Sequence, residues 1–266
     1  MSTAATHHPL ETAGRIGYAF KGGLYVLLGA LAVDTALSGG ATEGRRGALQ
    51  VVAESTFGGV LLTVLALGLA AYAVWRLAMA ALDPEREGTD AKGLLTRAGF
   101  VISGLSYATL AVAAYQILQS GGGSGGSASE GAQTALSLPG GRFVLALVAL
   151  AVAAFGAYEI VRARRGDFME KLALSGEAAR QRETVRRVGQ AGLVARGVVY
   201  GVIGVALGVA AAQADPSEAV GLDGALTTLR DQPYGALLLG AVGLGLAAYG
   251  LYCGINARYR RFEGDQ

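Results

Sequence analysis

Six stretches of mostly apolar residues alternate with polar ones along the chain, at positions 16–37, 58–82, 98–118, 142–161, 191–212 and 234–255. A helix rises about 1.5 Å per residue, so a run of about 20 residues crosses a hydrocarbon layer of about 30 Å. Each stretch is therefore predicted to be a transmembrane helix. The first is too long for the apolar part of a signal peptide, its basic flank is weak, and related runs recur downstream. It is expected to be a retained span. The second ends at Asp83-Pro84; proline lacks the N–H that a continuing helix needs.

The polar segments differ in character. Residues 1–12 form a short tail in which His7 and His8 are adjacent. No third ligand is near, so a solvated tail is expected and no metal site. Residues 83–94 are a charged connector. The run GGGSGGSASEG, positions 121–131, opens a flexible loop. Between positions 163 and 190 lie seven Lys/Arg and four Asp/Glu. Within this segment Phe168, Leu172 and Leu174 with Arg180, Arg182, Arg186 and Arg187 suggest an interfacial helix over 163–187; a solvated connector is the plainer alternative. Residues 258–266 form a basic tail with Arg258, Arg260 and Arg261.

Three apolar stretches open on one frame: GYAFKGGLY at 17–25, GFVISGLSY at 99–107 and GLVARGVVY at 192–200. The second half of each unit repeats as well. GALQVV, GAQTAL and GALTTL are followed by TFGG, LPGG and QPYG, and then by helices ending in AYAVW, AFGAY and AYGLY. Tyr72, Phe155 and Tyr249 thus correspond, as do Trp75, Tyr158 and Tyr252. The units span 13–82, 95–162 and 188–257. Two helices per unit is an even number, so the units share one orientation as parallel repeats. The expectation is an all-α membrane protein whose six helices close into a pseudo-threefold bundle; a linear row of hairpins is the alternative. Small residues on a helix face let backbones approach in lipid, which assigns Gly17, Gly22, Gly99, Gly104, Gly192 and Gly197 to helix packing.

Composition supports the membrane assignment. Charged residues make up 16% of the chain, against roughly a quarter in soluble domains. The charge is also unevenly distributed. Only Arg45, Arg46, Arg142 and Arg230 of the 22 Lys/Arg fall on the side holding the first, third and fifth loops, leaving 18 on the other. Lys/Arg excess marks the cytoplasmic side, so both termini are expected there. Cys253 is the sole cysteine, which excludes an intrachain disulfide.

The tandem RxGxxxxGxxY-type frame resembles a bacterial membrane family catalogued as domain of unknown function 1206, over about residues 13–257. The resemblance implies a six-span protein of three repeats in a bacterial plasma membrane. The arginine opening the frame is present as Arg15 and Arg97, with Gln190 in the third unit. The fifth-place basic residue is kept at Lys21 and Arg196 and replaced by Ser103. These departures imply that a central site would be asymmetric. The family supplies no catalytic residue to carry over.

Ionisable residues within the apolar stretches are Lys21, Asp34, Arg76, Glu159 and Arg196. Lys21, Arg76, Glu159 and Arg196 share one depth near the cytoplasmic side, and Cys253 takes the place of Arg76 and Glu159 in the sixth helix. Charges within a membrane often mark a ligand site; long side chains can instead snorkel to the headgroups. The site reading gathers Lys21, Arg76, Arg196 and Glu159, rimmed by Tyr25, Tyr107 and Tyr200, around an anion or lipid phosphate. Glu159 would pair with Arg76 or Arg196.

No HExxH, GxSxG or GxxxxGK[ST] motif is present, and no apolar stretch contains histidine. No enzyme activity, catalytic residue, cofactor or metal is expected, and no nucleic-acid partner. The expected function is a membrane scaffold or sensor whose basic cytoplasmic face binds anionic lipid or a protein. A small-solute or ion conduit along the threefold axis is the alternative.

Overall fold

A computed structural model describes residues 4–39, 45–54, 58–83, 88, 90–120 and 128–261. The protein is all-α among these residues apart from one isolated bridge. The elements are α1 (Ala4–Ser38), α2 (Arg45–Glu54), α3 (Gly58–Leu82), α4 (Ala91–Ser120), α5 (Ala128–Leu136), α6 (Gly141–Arg165), α7 (Gly176–Arg180), α8 (Arg182–Gln213), α9 (Leu222–Arg230) and α10 (Gly235–Tyr259). Long helices α1, α3, α4, α6, α8 and α10 match the six apolar stretches. Short helices α2, α5 and α9 carry the three repeated segments GALQVV, GAQTAL and GALTTL.

Among the described residues, five helical segments are long and apolar enough to cross a membrane: Glu11–Ser38, Leu62–Leu82, Gly141–Arg165, Arg182–Gln213 and Gly235–Tyr259. Helix α1 begins at Ala4, so residues 4–12 of the polar N-terminal tail are helical.

Local sequence explains the repeated turn into the fourth and sixth spans; the corresponding TFGG turn before α3 begins outside the described residues. In LPGG and QPYG the third residue, Gly140 or Tyr234, is left-handed, with φ 75° and 62°. The next N–H turns back, Gly141 to Leu138 O at 2.9 Å and Gly235 to Gln232 O at 2.8 Å. A Cβ on Gly141 or Gly235 would collide with the carbonyl of Ala135 or Arg230. The final glycine is thus required by space, and the αL residue before it is tolerated at a cost of about 1 kcal/mol for a non-glycine.

The long helices pack side by side in the order α4, α3, α1, α10, α8, α6. Contacts between successive units recur three times: α3 with α4, α6 with α8, and α10 with α1. Contacts within a unit occur twice, α1 with α3 and α8 with α10. Among the described residues α4 and α6, the two helices of the second unit, form no packed interface. The closed threefold bundle expected from the repeat is therefore an open one, with its break inside the second unit.

The segment after α6 also departs from expectation. Instead of a helix on the membrane face, Gly166 ends α6 at φ 82° and a 3-10 turn follows at Asp167–Met169. Phe168 and Leu172 are buried in the core, Phe168 ring-to-ring with Tyr252 at 5.3 Å. Ala173 N–H donates to Tyr259 O at 2.7 Å and Arg261 N–H to Lys171 O at 3.0 Å, tying this connector to the chain's end. The apolar residues sit on protein rather than lipid, and Arg182, Arg186 and Arg187 belong to the start of α8.

Candidate functional site

The repeated frame builds the same joint three times. A Cβ added to Gly22 would lie 2.8 Å from Gly250 O; one on Gly197 would lie 2.7 Å from Gly156 O; one on Gly104 would lie 2.8 Å from Leu77 Cγ and 3.3 Å from Ala73 O. Glycine at the sixth frame position is what lets each odd helix touch the preceding unit's backbone. The residue opening the frame completes the joint. Arg15 donates to Ala257 O at 3.0 Å and Arg258 O at 2.8 Å, Arg97 to Ala80 O at 2.9 Å, and Gln190 to Ala163 O at 3.0 Å. Each thus satisfies a carbonyl at a helix C-terminus that has no partner in its own helix. Gln190 preserves the bond without the charge.

The first frame position behaves differently. Gly17 lies against Tyr72, and a Cβ on Gly192 would come within 2.5 Å of Tyr249 Cα. Gly99, expected to be a packing glycine, has open space where its Cβ would be. Its opposite number, Phe155, is 40% exposed, whereas Tyr72 and Tyr249 are 0% and 5% exposed. Gly99 has no packing role because no α6 surface reaches it.

These joints bring the expected ionisable residues together. Lys21 and Arg196 are 3% and 8% exposed, so neither extends to the headgroups through lipid. Lys21 Nζ donates to Tyr72 Oη at 3.1 Å and Arg76 Nε donates to the same oxygen at 2.9 Å. Lys21 Nζ also stands 5.0, 5.2 and 5.3 Å from the ring centres of Tyr72, Tyr107 and Tyr249. Arg196 Nη1 donates to Glu159 Oε2 at 3.2 Å and Nη2 to Tyr200 Oη at 3.2 Å. Its guanidinium lies 4.3 Å from the centre of Tyr249 and 5.9 Å from that of Tyr25. Glu159 thus pairs with Arg196 rather than Arg76, with Arg162 3.9 Å from its other oxygen.

The site has two lobes that meet at Tyr249, over which both Lys21 and Arg196 sit. Sequence reasoning found all seven side chains but not the linking tyrosines. Tyr72 and Tyr249 were visible only as repeat equivalents, and nothing in the spacing marks them as facing the cations. Arg260 was also missed: expected in a basic tail, it is buried against the rings of Tyr18 and Trp75, 5.5 and 5.8 Å from their centres.

Chemically the cluster holds three basic side chains, each against tyrosine rings or hydroxyls, and one carboxylate, Glu159, paired with Arg196. Cation–ring contacts of this kind contribute about 0.5–2 kcal/mol each. Arg196 Nε is buried and has no acceptor among the described residues. The surplus of donors and positive charge suits an anion.

The sequence profile described as Domain of Unknown Function (DUF1206) matches three segments, 16–83, 98–166 and 191–260. The chain is also 32% identical over 253 residues to "Uncharacterized protein YxxB" of Bacillus subtilis (strain 168), covering 95% of this chain and 92% of that protein. No solved structure matches the chain.

Proposed function

Since the chain belongs to the DUF1206 family and is a multi-pass membrane protein, we propose that it is a non-enzymatic scaffold or sensor that binds anionic lipid headgroups. In this reading all six long helices span a bacterial plasma membrane with both termini in the cytoplasm. The basic excess on the terminus side supports that orientation. One observation carries the binding role: Lys21 and Arg76 share the Tyr72 hydroxyl and Arg196 sits beside them over Tyr249, three cations of which only Arg196 is paired with a carboxylate, Glu159, in the half of the bundle that holds the chain ends. A protein partner would meet the basic segments of the same face.

The test is lipid retention by the purified protein. Nanodiscs of mixed composition are extracted into detergent, and the lipids that stay bound are weighed by native mass spectrometry. Anionic phospholipid should be retained over phosphatidylcholine. Lys21→Ala/Arg196→Ala should lower that retention at least about tenfold, since each charge-assisted hydrogen bond contributes about 1.5–3 kcal/mol. In parallel, ion and small-anion flux is followed in proteoliposomes. Flux above empty liposomes that disappears in the double variant would replace this reading with the conduit.

A further inference from the structure

The break between α4 and α6 lies beside the basic cluster, and its walls are the surfaces that the other two units seal. In the third unit Ala195 packs on Gly245, and in the first Phe20 packs on Gly68. The equivalents in the second unit are Ile102 and Ala151, and both are exposed. Tyr158 is 57% exposed, whereas its counterparts Trp75 and Tyr252 are 1% and 6% exposed. Gly99 and Phe155 complete this wall, which is mostly apolar and aromatic.

The gap leads to charge. Phe155 lies 5.1 Å, centre to centre, from the ring of Tyr200, whose hydroxyl accepts from Arg196. Glu159 is the next residue after Tyr158. Lys21 lies six residues beyond Arg15, which is about 9 Å along the helix, so the cluster sits within one leaflet. Surplus cations at the inner end and apolar walls along the way match a molecule with an anionic head and hydrocarbon tails.

We propose that the gap between α4 and α6 is a lateral opening through which a phospholipid of the terminus-side leaflet presents a compact anionic headgroup to Lys21 and Arg196. Its acyl chains lie against Gly99, Ile102, Ala151 and Phe155. Tyrosine rings crowd the cations, so a phosphatidic acid or phosphatidylglycerol headgroup fits and a bulky one does not. The proposal rests on the lipid-binding reading above and adds the route and the leaflet.

The experiment uses nanodiscs with phosphatidic acid or phosphatidylcholine carrying a diazirine in one acyl chain. After irradiation, adducts are mapped by peptide mass spectrometry. The expected result is anionic-lipid adducts concentrated on Ile102, Phe155 and Tyr158, with phosphatidylcholine adducts spread over all lipid-facing helices. Ile102→Trp/Ala151→Trp fills the gap at exposed positions and should abolish the concentrated adducts and lower phosphatidic acid retention about tenfold, equivalent to one strong contact. Retention of phosphatidic acid with evenly spread adducts, or full retention in the tryptophan variant, would overturn the route while leaving headgroup binding intact. Equal retention of both lipids by the parent protein would overturn both.

Discussion

Gly17 and Gly192 lie against Tyr72 and Tyr249, while Gly99, at the same frame position, faces open space. The three units carry one pattern, yet the first and third join their own two long helices and the second does not. Lipid tails are as apolar as leucine, so nothing pulls two apolar helices together in a membrane except fitted surfaces and polar contacts. Phe20 on Gly68 and Ala195 on Gly245 are fitted pairs; Ile102 opposite Ala151 is not joined. Polar contacts fail there too. Lys21 donates to the hydroxyl of Tyr72 within the first unit, whereas the second unit has Ser103 and Phe155 at the corresponding positions, a short side chain and a ring without a hydroxyl. A repeat therefore prescribes where joints can form, and substitutions within it decide which ones do.

Paired substitutions test that difference most directly. Gly192→Leu should destabilise the protein by about 3 kcal/mol or more through overpacking against Tyr249, enough to prevent its purification as a folded species. Gly99→Leu should change the thermal midpoint in detergent little. A large loss in Gly99→Leu would mean that α6 closes on α4. Trp75→Ala should cost about 3–5 kcal/mol, the range for a buried large aromatic; Tyr158→Ala should cost under about 1 kcal/mol, as is usual for an exposed site. Thermal unfolding followed by tryptophan-independent scattering measures both.

Within the site, Glu159→Gln should cost about 3 kcal/mol by leaving Arg196 buried without its carboxylate. Glu159→Gln/Arg196→Met should recover part of that loss. A double-mutant cycle with no coupling would break the assignment of these two as a pair. The smallest expected effect is at the caps. Gln190→Ala and Arg97→Ala should each cost about 1 kcal/mol, that of one hydrogen bond. An equal cost would confirm that the charge of the frame's opening arginine is dispensable.

Much of this was legible beforehand. Span positions followed from hydropathy, and the sixth-position glycines from their recurrence in the threefold frame. The cluster's ionisable members were legible because charge in an apolar stretch is conspicuous. Its tyrosines were not, since Tyr72 and Tyr249 read equally well as core. The open second unit was hidden for a related reason: equivalent frames imply equivalent neighbours, and only Ser103 and Phe155 hinted otherwise. Arg15, Arg97 and Gln190 could not be read as caps until the carbonyls of Ala257, Ala80 and Ala163 were placed beside them.

The joint between α1 and α10 has a consequence in time. Arg15 belongs to the first helix made and bonds to Ala257 and Arg258 at the end of the last. Translation at about 5–20 residues per second separates their appearance by on the order of ten seconds or more. During that interval the Gly22 face waits for Gly250, and Lys21 has Tyr72 and Tyr107 beside it but not Tyr249. The cluster of Lys21, Arg196 and their tyrosines is therefore complete only after α10 has been made, and a chain truncated before α10 cannot assemble it.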